Sequence, residues 1–300
     1  MNIVKDIIQR IYRKFGFILV NRNVEIRKRD QFLSKYDVKI NKTLLVSAYP
    51  YIQKLEKRLN IISIEDFNNG VIVKFDNIQL YLESWEEFFI VCEVFIDKDY
   101  NFLSTQNLIL FDIGCNIGIA SLFFSQNQNI KKIFSFEPVK DTYENALINF
   151  KLNNTNSSKI EVFNFGIGDS NKTETFLFDK TIKGNTGIRG LKSINYKNST
   201  SQEKREVLIK NASNVFLNVL SNHLNEKFVF KIDCEGAEYE ILKNLDENNL
   251  ISKITIFMIE WHDEGAQILE DILIKNDFLI FSRVVASHSG MLYAYNTKLC

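Results

Sequence analysis

Long apolar runs are missing from this 300-residue chain. No stretch reaches the roughly 18 apolar residues that a membrane-spanning helix needs. An excess of one charge is missing too. With 37 lysines and arginines against 37 aspartates and glutamates, no global field draws the chain to nucleic acid. Cysteine is scarce. Cys92, Cys115, Cys234 and Cys300 lie far apart and form no CxxC, which argues against a zinc knuckle or disulfide framework and points to a reducing cytoplasm. The two prolines carry no structural inference. A signal peptide is absent, because Lys5, Asp6, Arg10, Arg13 and Lys14 interrupt any apolar region at the N-terminus.

What the first residues do hold is an amphipathic pattern. Ile3, Val4, Ile7, Ile8, Ile11, Tyr12 and Phe15 recur at helical spacing, with a mostly basic opposite face. The expectation is a helix docked on its own domain or on a second subunit, which makes a homodimer plausible. Peripheral contact of residues 3–15 with an anionic membrane surface is the alternative.

A hydrophobic content of 45% suffices for a sizeable core. Residues 1–68 read as mostly helical. Then VIVKF (71–75) and IQLYL (78–82) flank Asp76-Asn77 as a hairpin. SWEEFFIVCEVF (84–95) reads as a helix capped by Ser84, with acids in its first turn. From residue 108 strands and helices alternate. LILFDIG, IKKIFSFEP, KIEVFNFGIG, FVFKIDCEG and KITIFMIEW suit strands buried on both faces, and helical segments fall near 117–126, 140–153, 212–224 and 237–245. That rhythm predicts a Rossmann-like, mostly parallel sheet with helices on both faces. FLIFSRVV (278–285) and MLYAYN (291–296) predict a final antiparallel pair. The polar segment 179–202, with Gly184, Gly187 and Gly190, is either a solvated loop between two extra strands (174–178 and 205–209) or a lid.

In such a sheet ligands sit at the carboxyl ends of the strands. The first of these ends, FDIGCNIG, lacks the dinucleotide fingerprint. Starting from Gly114, glycines would be needed at 116 and 119, where Asn116 and Ile119 stand. No Gly-Lys-Ser/Thr follows, so it is no P-loop either. What remains is an acid, Asp112, two residues before Gly114, with Gly118 opening the next helix. An acid in the turn attracts a cation, and free helix amides welcome a carboxylate. The methionine end of S-adenosylmethionine carries both groups. Glu137, closing the next strand in FSFEP, is placed to accept both hydroxyls of a ribose.

FDIGCNIG, FSFEP, FNFGIGD and FKIDCEGAEYEIL, in that order between about 108 and 262, resemble the motif series of the FkbM-type methyltransferases, class I S-adenosylmethionine enzymes. LYLESWEEFFIVCEVF (80–95) resembles the segment that precedes those motifs. The resemblance implies a class I methyltransferase domain over 106–300, preceded by a mainly helical region with a hairpin over 1–105. It implies O-methylation of a hydroxyl on a sugar, glycan or polyketide-type metabolite. It also implies that Asp112, Gly114, Asn116 and Gly118 bind the methionine end, that Glu137 binds the ribose, and that Phe165 to Asp169 border the adenine. One departure is NVLSNHL (218–224), where many members carry a TLDD-like stretch.

The catalytic expectations lie at the next two strand ends. Asp233 and Glu235, two apart, share a face if the strand holds there; Asp233 is expected near the reacting methyl or the acceptor. Glu238 reads as a complement to its helix dipole. His262 is the histidine best placed to accept a proton, though an ordinary rim histidine is an equal reading. His223 reads as a solvated residue near a helix end and His288 as a turn residue. Asp233, Glu235, Glu260 and His262 could also surround magnesium or manganese, with Asp233, Glu260 and His262 as the metal set. Trp261 reads as core before it reads as a stacking platform for a sugar, and Cys115 and Cys234 as small buried residues. The rival readings are methylation of another metabolite or macromolecule and a non-catalytic binding domain. Neutral charge and the lack of an N-P-P-Y-like strand end oppose a nucleic-acid base as acceptor. Acids and glycines kept at every strand end oppose a retired site.

Overall fold

The computed structural model describes residues 22–154, 158–180, 183–186 and 203–299. The expected helix at 3–15 and most of the 179–202 segment lie outside them. Two helices, α1 (Arg22–Leu33) and α2 (Lys42–Arg58), lead into a three-stranded antiparallel sheet of β1 (Ile61–Phe67), β2 (Gly70–Phe75) and β3 (Ile78–Leu82). The turn at Asp76-Asn77 forms as expected, with Asp76 in the left-handed region at φ 44. β1 departs from the helical expectation for residues 1–68. Its β-branched Ile61, Ile62 and Ile64 favour a pleated partner over a helix, and Ile64 lies opposite Val73 of β2. Helix α3 (Trp85–Val91) starts at Ser84 with a full capping box to Glu87, and continues as a π-helical stretch over Cys92–Asp97.

The α/β unit follows. β4 (Leu108–Ile113), α4 (Ile119–Ser125), β5 (Ile130–Phe136), α5 (Lys140–Leu152) and β6 (Ile160–Phe163) form its first half. After β7 (Gly166–Gly168), β8 (Lys172–Phe178), β9 (Glu203–Asn211) and α6 (Ala212–Leu220), it resumes with β10 (Lys227–Ile232), α7 (Glu238–Glu247), β11 (Ile254–His262) and α8 (Gln267–Lys275). The hairpin β12 (Phe278–Ala286) and β13 (Ser289–Asn296) closes it. The main sheet runs β12-β13-β11-β10-β4-β5-β6. Five strands are parallel and the last two antiparallel, as the sequence predicts. The two extra strands pair as β8 and β9, joined by β7 in a separate sheet. KIEVFNFGIG therefore divides between two sheets, because its chain turns at Asn164, whose side-chain amide donates to the carbonyls of Glu137 and Pro138.

Every residue of β4 is buried, as befits a central strand covered on both faces. Its even positions, Leu108 and Leu110, join the core that also holds the N-terminal helices and the small sheet, so one apolar core runs from Leu33 to Met291. Its odd positions, Ile109, Phe111 and Ile113, face α6, α7 and α8. There Phe111 stacks on Phe230 at 4.5 Å and 8°. Among the described residues, no helix is long and apolar enough to cross a membrane.

Candidate active site

β4 and β10 lie where the strand order reverses, and a cavity of about 460 Å³ opens at their carboxyl ends, within the range of small-molecule sites. The turn after β4 forms one wall. Gly114 (φ 74), Asn116 (φ 50) and Gly118 (φ 84) all take left-handed conformations. Gly114 is required by space as much as by φ: a Cβ there would sit 1.8 Å from the carbonyl oxygen of Asp233. The Gly114 and Cys115 amides both donate to the Phe136 carbonyl at 3.0 Å. Asn116 turns its Oδ1 onto the amide of Ile117 at 2.8 Å. Gly118 caps α4 and rests against the Phe150 ring; it lies behind the cavity lining, whereas Gly114, Cys115 and Asn116 form part of it.

Asp112 lies beneath this turn rather than in the cavity. It is fully buried. The parallel register sets it beside Lys231 on β10 and Ser135 on β5. Lys231 Nζ approaches Asp112 Oδ1 at 3.1 Å and Asp233 Oδ2 at 3.5 Å, and donates to the Gly114 carbonyl at 2.7 Å. Ser121 Oγ donates to Asp112 Oδ2 at 2.5 Å. Burial alone would lower the Lys231 pKa, but Asp112 and Asp233 overcome that and keep it raised. The negative charge read from the sequence as a cation's partner already has its cation in Lys231.

Glu137 ends β5 facing the cavity. Its Oε2 accepts the Asn116 amide at 3.1 Å and its Oε1 the Val139 amide at 2.9 Å. One amide per oxygen leaves each oxygen a second acceptor position, the arrangement a vicinal diol needs. Burial pushes its pKa up to about 7, against the pull of the two amides. Gly166 and Ile167 line the cavity beyond it, with Pro138.

The lining next to the Gly114 turn is acidic. Asp233 and Glu235 follow β10, and Glu260 and His262 end β11. Tyr100, buried at the edge of the N-terminal segment, donates to Asp233 Oδ2 at 3.0 Å and reaches Glu260 Oε2 at 3.4 Å. His262 is buried, with Nδ1 3.1 Å from Glu238 Oε1 and Nε2 3.6 Å from Glu235 and 3.7 Å from Glu260. Burial opposes its charge, yet the hydrogen bond to Glu238 and the carboxylates of Glu235 and Glu238 raise its pKa to about 10. Glu260 is pushed up to about 7, mainly by burial and then by Asp233. Glu93, from the π-helical stretch, rises to about 8 through burial and the charges of Glu260 and Asp233. Ligand atoms of Asp233, Glu235 and His262 all lie within 4.8 Å of one another, close enough to be shared by one divalent cation.

A family profile described as the methyltransferase FkbM domain matches residues 112–280. The chain belongs to this methyltransferase family. Among curated relatives it is 26% identical over 219 residues to methyltransferase sdnD of Sordaria araneosa, spanning 66% of this chain and 84% of that protein. It is 28% identical over 182 residues to methyltransferase 1 of Beauveria bassiana, spanning 56% and 72%. A solved structure titled methyltransferase FkbM, from Methylobacillus flagellatus KT, aligns over 84% of this chain and 60% of its own, with 16% identity and a TM-score of 0.40. On the family profile, the protein is a methyltransferase of the FkbM type, a class that uses S-adenosylmethionine as methyl donor.

Within this methyltransferase the fold brings Gly114, Asn116, Glu137, Asp233, Glu235, Glu260 and His262 around one cavity. It sets Asp112 and Gly118 behind the lining. Glu238 is more than the complement to a helix dipole that the sequence suggested. It is fully buried and accepts from the His262 and Gly236 amides as well as facing the imidazole. Trp261 is buried against Gly290 and cannot stack on a ligand. His223 stands edge-on to Phe134, and His288 sits in the β12–β13 turn. Burial pushes the Cys115 and Cys234 thiols up, away from the thiolate form that a nucleophile needs. Three site residues escaped the sequence reading. Lys231 had a visible signal, a lone cation inside the apolar strand FVFKI. Glu93 lay in the 80–95 segment that resembles the stretch before the motifs, but its residue type marked no role there; Tyr100 had no signal.

Proposed function

We propose that this protein moves the methyl group of S-adenosylmethionine to a hydroxyl of a sugar or glycan. The observation that carries the reading is the cavity's polarity. Glu137, with an acceptor position left on each oxygen, and a tight glycine turn line one cavity with a cluster of carboxylates and one buried imidazole. The methionine end lies along Gly114 to Asn116, the ribose on Glu137, and the adenine beside Gly166 and Ile167. Asp112 serves indirectly, by holding Lys231 and through it the Gly114 carbonyl. The acceptor enters between Phe89, half-exposed on α3, and the Asp233–Glu260 wall. Carboxylates that accept hydroxyl protons and an aromatic face suit a neutral polyol.

The acceptor oxygen attacks the methyl carbon in line with the sulfur. The O–CH3 bond forms, the S–CH3 bond breaks, and S-adenosylhomocysteine leaves as a neutral thioether. The acceptor's proton passes to a carboxylate. The sequence offered His262 as a proton acceptor, with an ordinary rim histidine as an equal reading. The proposal moves that role to Glu260, because an imidazole held protonated to about pH 10 by Glu238 and its neighbours has no lone pair to offer. Asp233, fixed by Tyr100 and Lys231, orients the acceptor.

The test is transfer of labelled methyl to a panel of oligosaccharides, glycolipids and small alcohols, with Glu260→Gln alongside. Label on a hydroxyl, lost in the variant, supports the reading. Label only on amines, protein or nucleic acid would overturn it. A second reading, favoured by the convergence of Asp233, Glu235 and His262, has a divalent cation displace the His262 proton, take these three side chains as ligands and chelate the acceptor hydroxyls. Full turnover after chelator treatment would exclude that version, and strict dependence on added magnesium or manganese would establish it.

A further inference from the structure

Lys183 is a cation in an unusual place for a solvated loop. It opens a short 3-10 turn (Lys183–Asn185) in the connection between β8 and β9, yet it is only 4% exposed. Its Nζ donates to Glu83 Oε2 at 2.6 Å and to Glu87 Oε1 at 2.9 Å. The next amide, Gly184, donates to Glu86 Oε2 at 3.0 Å. All three acceptors sit where β3 passes into α3. Glu87 is already committed at its other oxygen, which accepts the Ser84 amide at 3.0 Å in the capping box. Glu83 also accepts from Asn145 at 2.8 Å. The lysine therefore meets a prepared pair of carboxylates, one fixed by a helix cap and one by α5.

Such a buried ion pair is rarely the most stabilising choice, since apolar side chains of similar volume often do as well. What it supplies is position: the Lys183 ammonium on both carboxylates and the Gly184 amide on Glu86 tie residues 183–184 to the β3–α3 junction. That placement is at the cavity. Glu86, Lys183, Gly184 and Thr186 line it together with Gly114 and Glu137.

We propose that Lys183 is a positioning residue for the cofactor site, pinning residues 183–186 to the start of α3 so that they form part of the cavity's lining. This rests on the reading of the cavity as the S-adenosylmethionine site. Lys183 itself touches neither reacting atom.

The test compares wild type with Lys183→Met and with Lys183→Met/Glu87→Gln, which removes the more buried of the two carboxylates that lose the lysine. S-adenosylhomocysteine is titrated by calorimetry, steady-state constants for the methyl donor are measured, and amide exchange is followed across 83–91 and 183–186. The expected result is a tenfold or larger loss of affinity and a matching rise in donor KM, with kcat within twofold, in both variants. A purely structural role would lower apparent kcat through lost folded protein and leave KM unchanged, which would overturn the proposal. So would affinity within twofold of wild type. Should the variants fail to fold, the wild type still decides: S-adenosylhomocysteine must slow exchange at Gly184, and unchanged exchange there overturns the proposal. A folded wild type that binds no S-adenosylhomocysteine overturns the cofactor reading beneath it, a result distinct from weak binding by the variants alone.

Discussion

Replacing Lys231 with methionine isolates the element on which the whole strand-end architecture depends. The ammonium is buried and balances Asp112 at 3.1 Å while holding the Gly114 carbonyl at 2.7 Å and leaning on Asp233 at 3.5 Å. At 3.1 Å and an effective dielectric of about 20, the Asp112 attraction alone is about 5 kcal/mol before desolvation is charged against it. Breaking a buried pair by removing one partner costs about 3–5 kcal/mol, because the other charge stays buried. Lys231→Met is therefore expected to lose that much stability in urea at pH 7, as is Asp112→Asn. The double variant leaves no uncompensated Asp112 charge, so its loss should fall short of the summed single losses by about 2 kcal/mol or more, well outside the few tenths found for independent sites. Additive losses would refute the pairing and, with it, the claim that Asp112 acts from beneath the turn.

Other outcomes follow from the same geometry. Gly114→Ala forces a Cβ to within 1.8 Å of the Asp233 carbonyl at a φ of 74; a loss of about 3 kcal/mol or more in urea midpoint analysis is expected, and unaltered stability would show that the turn yields. The rate of methyl transfer should rise with pH through about 7, because Glu260 accepts a proton only as carboxylate and its pKa lies near 7. Glu260→Gln should lower kcat about a hundredfold and flatten that limb, and an unchanged pH profile in the variant would remove Glu260 from the role. Glu93, raised from its ordinary range to about 8, holds its proton in the folded state at pH values where the unfolded chain has released it. Its effect is thus a loss of stability as pH rises from about 4.5 to 8. Glu93→Gln should raise the melting temperature of the ligand-free protein at pH 8.5 by a few degrees, at about 2 °C per kcal/mol, and change it little at pH 5; equal shifts at both would contradict the assignment.

Much of this architecture was legible because buried parallel strands write themselves as short apolar runs, and their acidic ends stand out against them. Asp233, Glu235, Glu260 and His262 could be grouped from strand order alone. Asp112 was harder. Its residue type pointed to a ligand, but its partner depends on the register that sets Lys231 beside it, and register follows from packing. Glu238 looked like a surface acid at a helix start, and its burial against His262 arises only when α7 folds onto β11. Tyr100 and Lys183 come from segments without a motif, and Glu93 from a segment read as a capped helix with no site role; the N-terminal region and residues 183–186 bring them to the cavity. Ile61–Phe67 was misread for a local reason, since a short β-branched run has too few positions to separate a period of 2 from one of 3.6.

The central claim is that the cavity between Glu137 and the acidic wall holds S-adenosylmethionine. Calorimetric titration of the wild type and Glu137→Ala with S-adenosylhomocysteine, with NAD as control, tests it most directly. The account predicts micromolar binding by the wild type, no response to NAD, and at least tenfold weaker binding by the variant, about 1.4 kcal/mol. No binding by folded wild-type protein, or equal affinity in the variant, would contradict it.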